Sequence, residues 1–175
     1  KVGRFMSEYG FQGMPSVSCI KKYHPYQIKP PTAFINSRQK HPKGFETIDA
    51  YLERDYPEPK SFEDFVYVSQ LLQARGMEIA IEAHRRAKPY CMGSLYWQLN
   101  DCWPGISWSS IDHTGIPKAS YYAAKRSFRD ILVSLTEERD SIQVWITSDN
   151  EDRDFTSELS IGLYDLSGKS TWEQL

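Results

Sequence analysis

No apolar stretch in this chain approaches the ~20 residues of a membrane-spanning helix, and no signal-peptide pattern is present. Cysteine is scarce. Cys19, Cys91 and Cys102 form no CxxC pair, and their odd number favours buried free thiols over a disulfide. His24, His41, His84 and His113 stand at no metal-ligand spacing, so no metal site is expected, and no cofactor is implied. An excess of one charge is also lacking. The net charge is -2 and the basic residues fall in short clusters such as Lys21-Lys22 and Arg85-Arg86, which argues against a nucleic-acid or acidic-membrane partner. Internal repeats and low-complexity tracts are missing, and so is an initiator Met. The chain opens at Lys1 and runs straight into a strand-like stretch. We read it as an excised piece of a longer protein, with any targeting information upstream.

What is present is an ordered alternation of elements. Residues 2–8 read as a strand. Residues 11–60 show little period and many turn formers, among them Pro15, Pro25, Pro30, Pro31, Pro42, Gly44 and Pro57. A connection this long usually covers a site or carries a function. A short amphipathic helix is expected around Thr47–Arg54. Ser61-Phe62-Glu63-Asp64 is a helix start with a Ser N-cap and two first-turn acids. Phe65, Ser69, Leu72, Ile79 and Ala83 then recur at helical spacing to about Ala87, where Pro89 stops the helix. Gly76 within it predicts close packing. Residues 91–99 read as a second strand, buried on both faces as in a parallel sheet. A loop over 104–117 and a helix over 118–131 follow. From about Leu132 the period becomes two, with Ile142, Val144 and Ile146 alternating against polar neighbours, a second run over Ser157–Leu166, and a turn at Ser167-Gly168-Lys169.

The fold class expected is therefore α/β: the last two βα units of a (β/α)8 TIM barrel, then the first strands of an antiparallel β-sandwich. Residues 1–131 would be the C-terminal portion of the barrel, and 132–175 the incomplete start of an Ig-like sandwich. Two βα units cannot close a barrel, so open edges and uncovered apolar faces should favour self-association of the chain alone.

Two segments hold most of the chemistry. Glu8 ends the run Val2-Gly3-Arg4-Phe5-Met6-Ser7-Glu8-Tyr9-Gly10. A carboxylate at the C-terminal tip of a buried strand is costly unless used or paired, and that tip is where a parallel barrel keeps its active site. The second segment, Cys91 to Gly105, crowds Trp97, Asn100, Asp101 and Trp103 at its mouth. One carboxylate, stacking aromatics and amide or acid groups suit a sugar-cleaving pocket. Each residue also has a plainer reading. Arg4, two pleats back on the same face as Glu8, is placed to form an ion pair that keeps a nearby carboxylate charged; on the plainer reading Glu8 is a strand-end salt bridge and Trp97 a core residue. Asn100 and Asp101 would cap the loop, and Trp103 and Trp108 would pack within it. Asp112 and His113 read as a solvated turn, and Tyr121-Tyr122 as core packing.

The motifs also match a family. Arg4-Phe5-Met6-Ser7-Glu8-Tyr9-Gly10-Phe11-Gln12 resembles the nucleophile segment of glycoside hydrolase family 2. Leu95-Tyr96-Trp97-Gln98-Leu99-Asn100-Asp101-Cys102-Trp103-Pro104 is similar to the eighth-strand segment of its β-mannosidase branch. Ser107-Trp108-Ser109-Ser110-Ile111-Asp112 and Arg54-Asp55-Tyr56 extend the match, which weakens after about Leu132.

The resemblance implies a retaining, multi-domain exo-glycosidase acting on a terminal β-mannosyl residue of an oligosaccharide or glycan. It assigns the nucleophile to Glu8 and a −1 subsite wall to Trp97. Beside what the resemblance assigns, the residues themselves suggest that Asn100 and Asp101 at the mouth hydrogen-bond sugar hydroxyls, that Trp103 lines the entrance, and that the Tyr9 hydroxyl supports a neighbouring carboxylate. The acid/base, a Glu following an Asn on the fourth barrel strand, would lie upstream of Lys1, so the isolated chain should be inactive. Alternatives left open are another family 2 enzyme (β-galactosidase, β-glucuronidase or exo-glucosaminidase) and a non-catalytic carbohydrate-binding module. Family members are lysosomal in animals and periplasmic or cytoplasmic in bacteria, so the compartment stays open.

Overall fold

The longest helix, α4 (Phe62–Arg86), organises the molecule. The computed structural model describes residues 2–24, 33–150, 156 and 158–174. Pro25, Pro30, Pro31 and Ser157, named above as sequence signals, lie outside them. Among the described residues the other helices are α1 (Val17–Tyr23), α2 (Ala33–Arg38), α3 (Glu46–Asp55) and α5 (Ala119–Ser127). The strands are β1 (Ile131–Glu138), β2 (Ser141–Ser148), β3 (Ile161–Tyr164) and β4 (Ser170–Gln174).

The cap and first-turn acids of α4 are used as the sequence suggests. The Ser61 hydroxyl accepts the Asp64 N–H at 3.0 Å, and Glu63 and Asp64 face the positive end of the helix dipole. Its buried side is Val66, Ser69, Leu72, Gln73, Met77, Ile81, His84 and Arg85, a three-and-four spacing that presents one stripe. Ile79, expected on that stripe, is on the solvent side. Three apolar clusters hang on this helix. Val66 meets Met14, Ile20, Ile35 and Ile106; Leu72 meets Ile48 and Leu52 of α3; Met77 and Ile81 meet Ala124 of α5. Gly76 packs as expected, since a Cβ there would stand 2.6 Å from the Phe11 ring.

Residues 11–60 hold more regular structure than their prolines suggest. α1 is capped by the Ser16 hydroxyl on Cys19 N–H, and α2 is a short helix around the buried Ile35. The helix expected over 118–131 ends at Ser127, and Ile131 already belongs to β1.

Residues 2–8 and 91–99 run parallel but make only one bridge, Met6 to Ser94. Met6 N–H donates to Gly93 O (2.8 Å), Leu95 N–H to Met6 O (2.8 Å) and Met92 N–H to Arg4 O (3.0 Å). The second segment is not buried on both faces, because Leu95, Trp97 and Leu99 are exposed. Among the described residues nothing covers that side. Among the described residues the C-terminal strands form two separate antiparallel hairpins, β1–β2 and β3–β4. Gly168 supplies the left-handed turn (φ 84°) between β3 and β4.

Candidate active site

Glu8 sits between two anchored residues. Met6 is bonded on both sides to the 91–99 segment, and the Tyr9 carbonyl accepts the Trp97 N–H at 2.7 Å. Glu8 is exposed, and its carboxylate has no hydrogen bond or ion pair among the described residues. Arg4 does not pair with it. The Arg4 guanidinium lies over the Tyr90 ring, 5.7 Å from its centroid.

Trp97 stands beside this carboxylate's main chain with 51% of its surface exposed, and the Trp97–Gln98 peptide bond is cis. The approach of the two segments is close at Gly10. A Cβ there would clash with the Trp97 carbonyl oxygen and reach 3.1 Å from Trp108 Cδ1. Glycine is required by space, not by backbone angle.

Tyr9 turns inward. Its hydroxyl lies 2.7 Å from Ser94 Oγ, which lies 2.8 Å from His84 Nδ1, and the Tyr9 and His84 rings meet edge-on at 4.6 Å. Burial raises the Tyr9 pKa and lowers that of His84, so both are uncharged near neutrality. The hydroxyl expected to support a neighbouring carboxylate supports Ser94 instead.

Asn100 is exposed at the mouth and pairs with Ile111 through the backbone. Asp101 faces inward and is buried. Its two oxygens accept the hydroxyls of Ser107 (2.7 Å) and Ser109 (2.6 Å). Trp103 is half-buried and carries cations: Lys40 Nζ lies 3.7 Å and Arg38 Cζ 5.1 Å from its ring. Trp108 lies 6.1 Å from the His41 ring, which brings the 38–44 loop to the same mouth.

Asp112 corrects the reading of a solvated turn. It is 1% exposed and accepts from Ser16 N–H and Oγ–H, Thr114 N–H and Oγ1–H, and Ile116 N–H. Burial alone would raise its pKa, but the Ser16 and Thr114 bonds outweigh burial and hold it below the usual carboxylate range. His113 is exposed, as expected. Cys19 and Cys91 are buried and free, whereas Cys102, expected to be buried, is exposed in the loop beside Trp103.

Lys118 is the group the sequence reading missed. It is fully buried, and its ammonium donates to the carbonyls of Gly13 (3.2 Å) and Ser107 (3.4 Å). Burial brings its pKa down to about 8, against opposing attraction from Asp101 and Asp112. The signal was the Ser-rich stretch 107–110 between two aspartates: hydroxyl donors in number are what buried carboxylates need.

The chain is similar to β-mannosidases over most of its length. The β-mannosidase B of Thermothelomyces thermophilus is 34% identical over 148 residues, covering 77% of this chain and 17% of that protein. The β-mannosidase of Capra hircus is 33% identical over 160 residues, covering 83% of this chain and 18% of its own length. The crystal structure of a β-D-mannosidase from Dictyoglomus thermophilum matches with a TM-score of 0.79 at 34% identity, over 83% of this chain and 18% of that one. No protein-family profile matches the chain. It thus spans less than a fifth of the relatives it resembles. These are likenesses to glycoside hydrolases. More narrowly, the chain resembles the β-mannosidases of glycoside hydrolase family 2.

Proposed function

We propose that this chain is the nucleophile-bearing part of a retaining exo-β-mannosidase. In this reading residues 1–131 are the last two βα units of a TIM barrel, and residues 132–175 begin an Ig-like sandwich. The observation that carries it is Glu8: an exposed carboxylate with no partner among the described residues, held at the end of two paired segments beside an exposed Trp. A structural salt bridge at that position would have a cation, and none of the described residues supplies one.

In the reaction a Glu8 oxygen attacks the anomeric carbon of the terminal mannosyl residue. The glycosidic C–O bond breaks, and the departing oxygen takes a proton from a carboxylic acid about 5–5.5 Å from Glu8. That acid belongs to the part of the enzyme outside this chain. A water molecule then attacks the glycosyl–Glu8 ester and gives up its proton to the same acid/base, releasing mannose with retained configuration. Trp97 packs its indole on the C–H face of the sugar and excludes water there. Asn100 offers its amide to a hydroxyl. Trp103, with Arg38 and Lys40, borders the leaving-group side. Asp101 and Tyr9 stand behind this layer and hold it. The substrate is a β-mannoside oligosaccharide or glycan.

The test uses the full-length enzyme. An activated 2-deoxy-2-fluoro-β-mannosyl fluoride should trap it stoichiometrically, with the adduct on the peptide containing Glu8. Glu8→Ala should remove nearly all turnover, and azide should restore part of it as mannosyl azide. An unlabelled protein, or near-normal turnover by the variant, would sink the assignment. A panel of nitrophenyl glycosides compared with the β-mannoside checks the sugar.

A further inference from the structure

We propose that Ser94 is a positioning residue for the Glu8 carboxylate, acting through the hydroxyl of Tyr9 and backed by His84 on α4. This rests on the reading of Glu8 as nucleophile. Glu8 makes no side-chain bond of its own among the described residues, so its place is inherited from the main chain on either side. Met6 is held by two backbone hydrogen bonds. Tyr9, the adjacent residue, is held at its carbonyl by Trp97 N–H and at its hydroxyl by Ser94 Oγ, both at 2.7 Å. Ser94 is fixed in turn by His84 Nδ1 at 2.8 Å. A rigid helix thus reaches the mouth through two side-chain hydrogen bonds.

One order of the protons gives both hydroxyls an acceptor. Burial favours the neutral form of the His84 ring. With its proton on Nε2, Nδ1 accepts the Ser94 O–H, and Ser94 Oγ accepts the Tyr9 O–H. Both hydroxyl protons then have an acceptor. The edge-on contact of the two rings, at 4.6 Å and 86°, fixes the side chains that carry the ends of the relay. Without the Ser94 hydroxyl, the Tyr9 O–H and His84 Nδ1 both lose their partner. Tyr9 keeps its backbone bond to Trp97 and its ring packing but loses its only side-chain hydrogen bond among the described residues, so one of the two ties on the residue after Glu8 is gone. The sugar face on Trp97 is untouched. The loss should therefore fall on the attack step and not on sugar binding, since a displacement of about 1 Å at a reacting group can slow a reaction by about 10²-fold.

The experiment measures labelling of the full-length enzyme by the 2-fluoro-mannosyl fluoride, as a first-order rate constant and a half-saturating concentration, for wild type, Ser94→Ala, Ser94→Thr, Tyr9→Phe and Ser94→Ala/Tyr9→Phe. Ser94→Ala and Tyr9→Phe should each label about 10–10²-fold more slowly, with half-saturation within about twofold of wild type. Ser94→Thr, which keeps a hydroxyl, should recover most of the rate. The double variant should be no slower than either single one, because both remove the same link. Wild-type labelling by Ser94→Ala and Tyr9→Phe, or multiplying losses in the double variant, would overturn the proposal. So would a rate loss that tracks the melting temperature and is not recovered by Thr. Peptide mapping of the wild-type adduct is read separately. An adduct on a residue other than Glu8 overturns the nucleophile assignment and this proposal with it, whereas an adduct on Glu8 with an indifferent Ser94 overturns this proposal alone.

Discussion

Lys118 has a folded pKa about 8, depressed from an ordinary 10.5, which makes it a stability probe. Between those values the unfolded chain holds the proton that the folded chain has released, so stability rises with pH across that window, and the penalty is fully present below about pH 8. Cys19, pushed up to about 11 by burial, titrates in the opposite sense, so the comparison must be with a matched variant. Urea unfolding of wild type and Lys118→Met from pH 7 to 10.5 should show the difference moving in favour of wild type as pH rises. A constant difference would mean that the ammonium is not penalised. At the mouth, Trp97→Ala in the full-length enzyme should weaken sugar binding and slow glycosylation while the fold persists. Unchanged kinetics would make Trp97 a packing residue. At this scale the sequence disclosed the outward residues and hid the inward ones. Glu8 and Trp97 stand at the ends of apolar runs, a pattern visible in one dimension. Asp101, Asp112 and Lys118 are buried because residues 12–16 fold over the 107–118 loop, a pairing that no local spacing encodes.

Among elements, α4 was legible from end to end because cap, acids, period and stop all agreed. Ser61→Ala should lower global stability by about 1 kcal/mol, read as a shift in the urea midpoint at constant slope. Gly76→Val should do more harm, because the Phe11 ring occupies the space and is itself backed by Tyr51, whose ring centroid is 5.5 Å away. α3 was legible from its amphipathic period, without a side-chain cap at Phe45. α1 and α2 were not: each is one or two turns long, and the surrounding prolines outweighed the Ser16 cap as a signal. The parallel segments were legible as apolar runs but not as half-exposed ones, since cover comes from neighbours remote in sequence. The two-residue periodicity after Leu132 disclosed strands, yet it cannot distinguish one sheet from two hairpins.

For the molecule as a whole, two faces each gather several exposed apolar side chains. One carries Phe5, Leu95, Trp97 and Leu99, and the other carries Val133, Leu135, Ile142 and Ile146 of the first hairpin. The 175-residue chain alone should therefore self-associate and hydrolyse no mannoside. Size-exclusion chromatography with light scattering and a nitrophenyl mannoside assay check both. An active monomer would contradict the proposed division of the catalytic pair. The proposed division of the chain near residue 131 also meets a contact that crosses it. Buried Arg85 donates to the carbonyls of Ser127, Arg129 and Asp130, and pairs with Asp149 at 3.2 Å, while Lys88 bonds the same carboxylate. Arg86 reaches Ser134 Oγ at 3.0 Å. Whoever cuts the gene for expression has to reckon with that knot. A stop codon after residue 131 would leave a buried guanidinium facing solvent where its carboxylate had been. A stop after Asp149 would keep the knot tied and discard only the second hairpin.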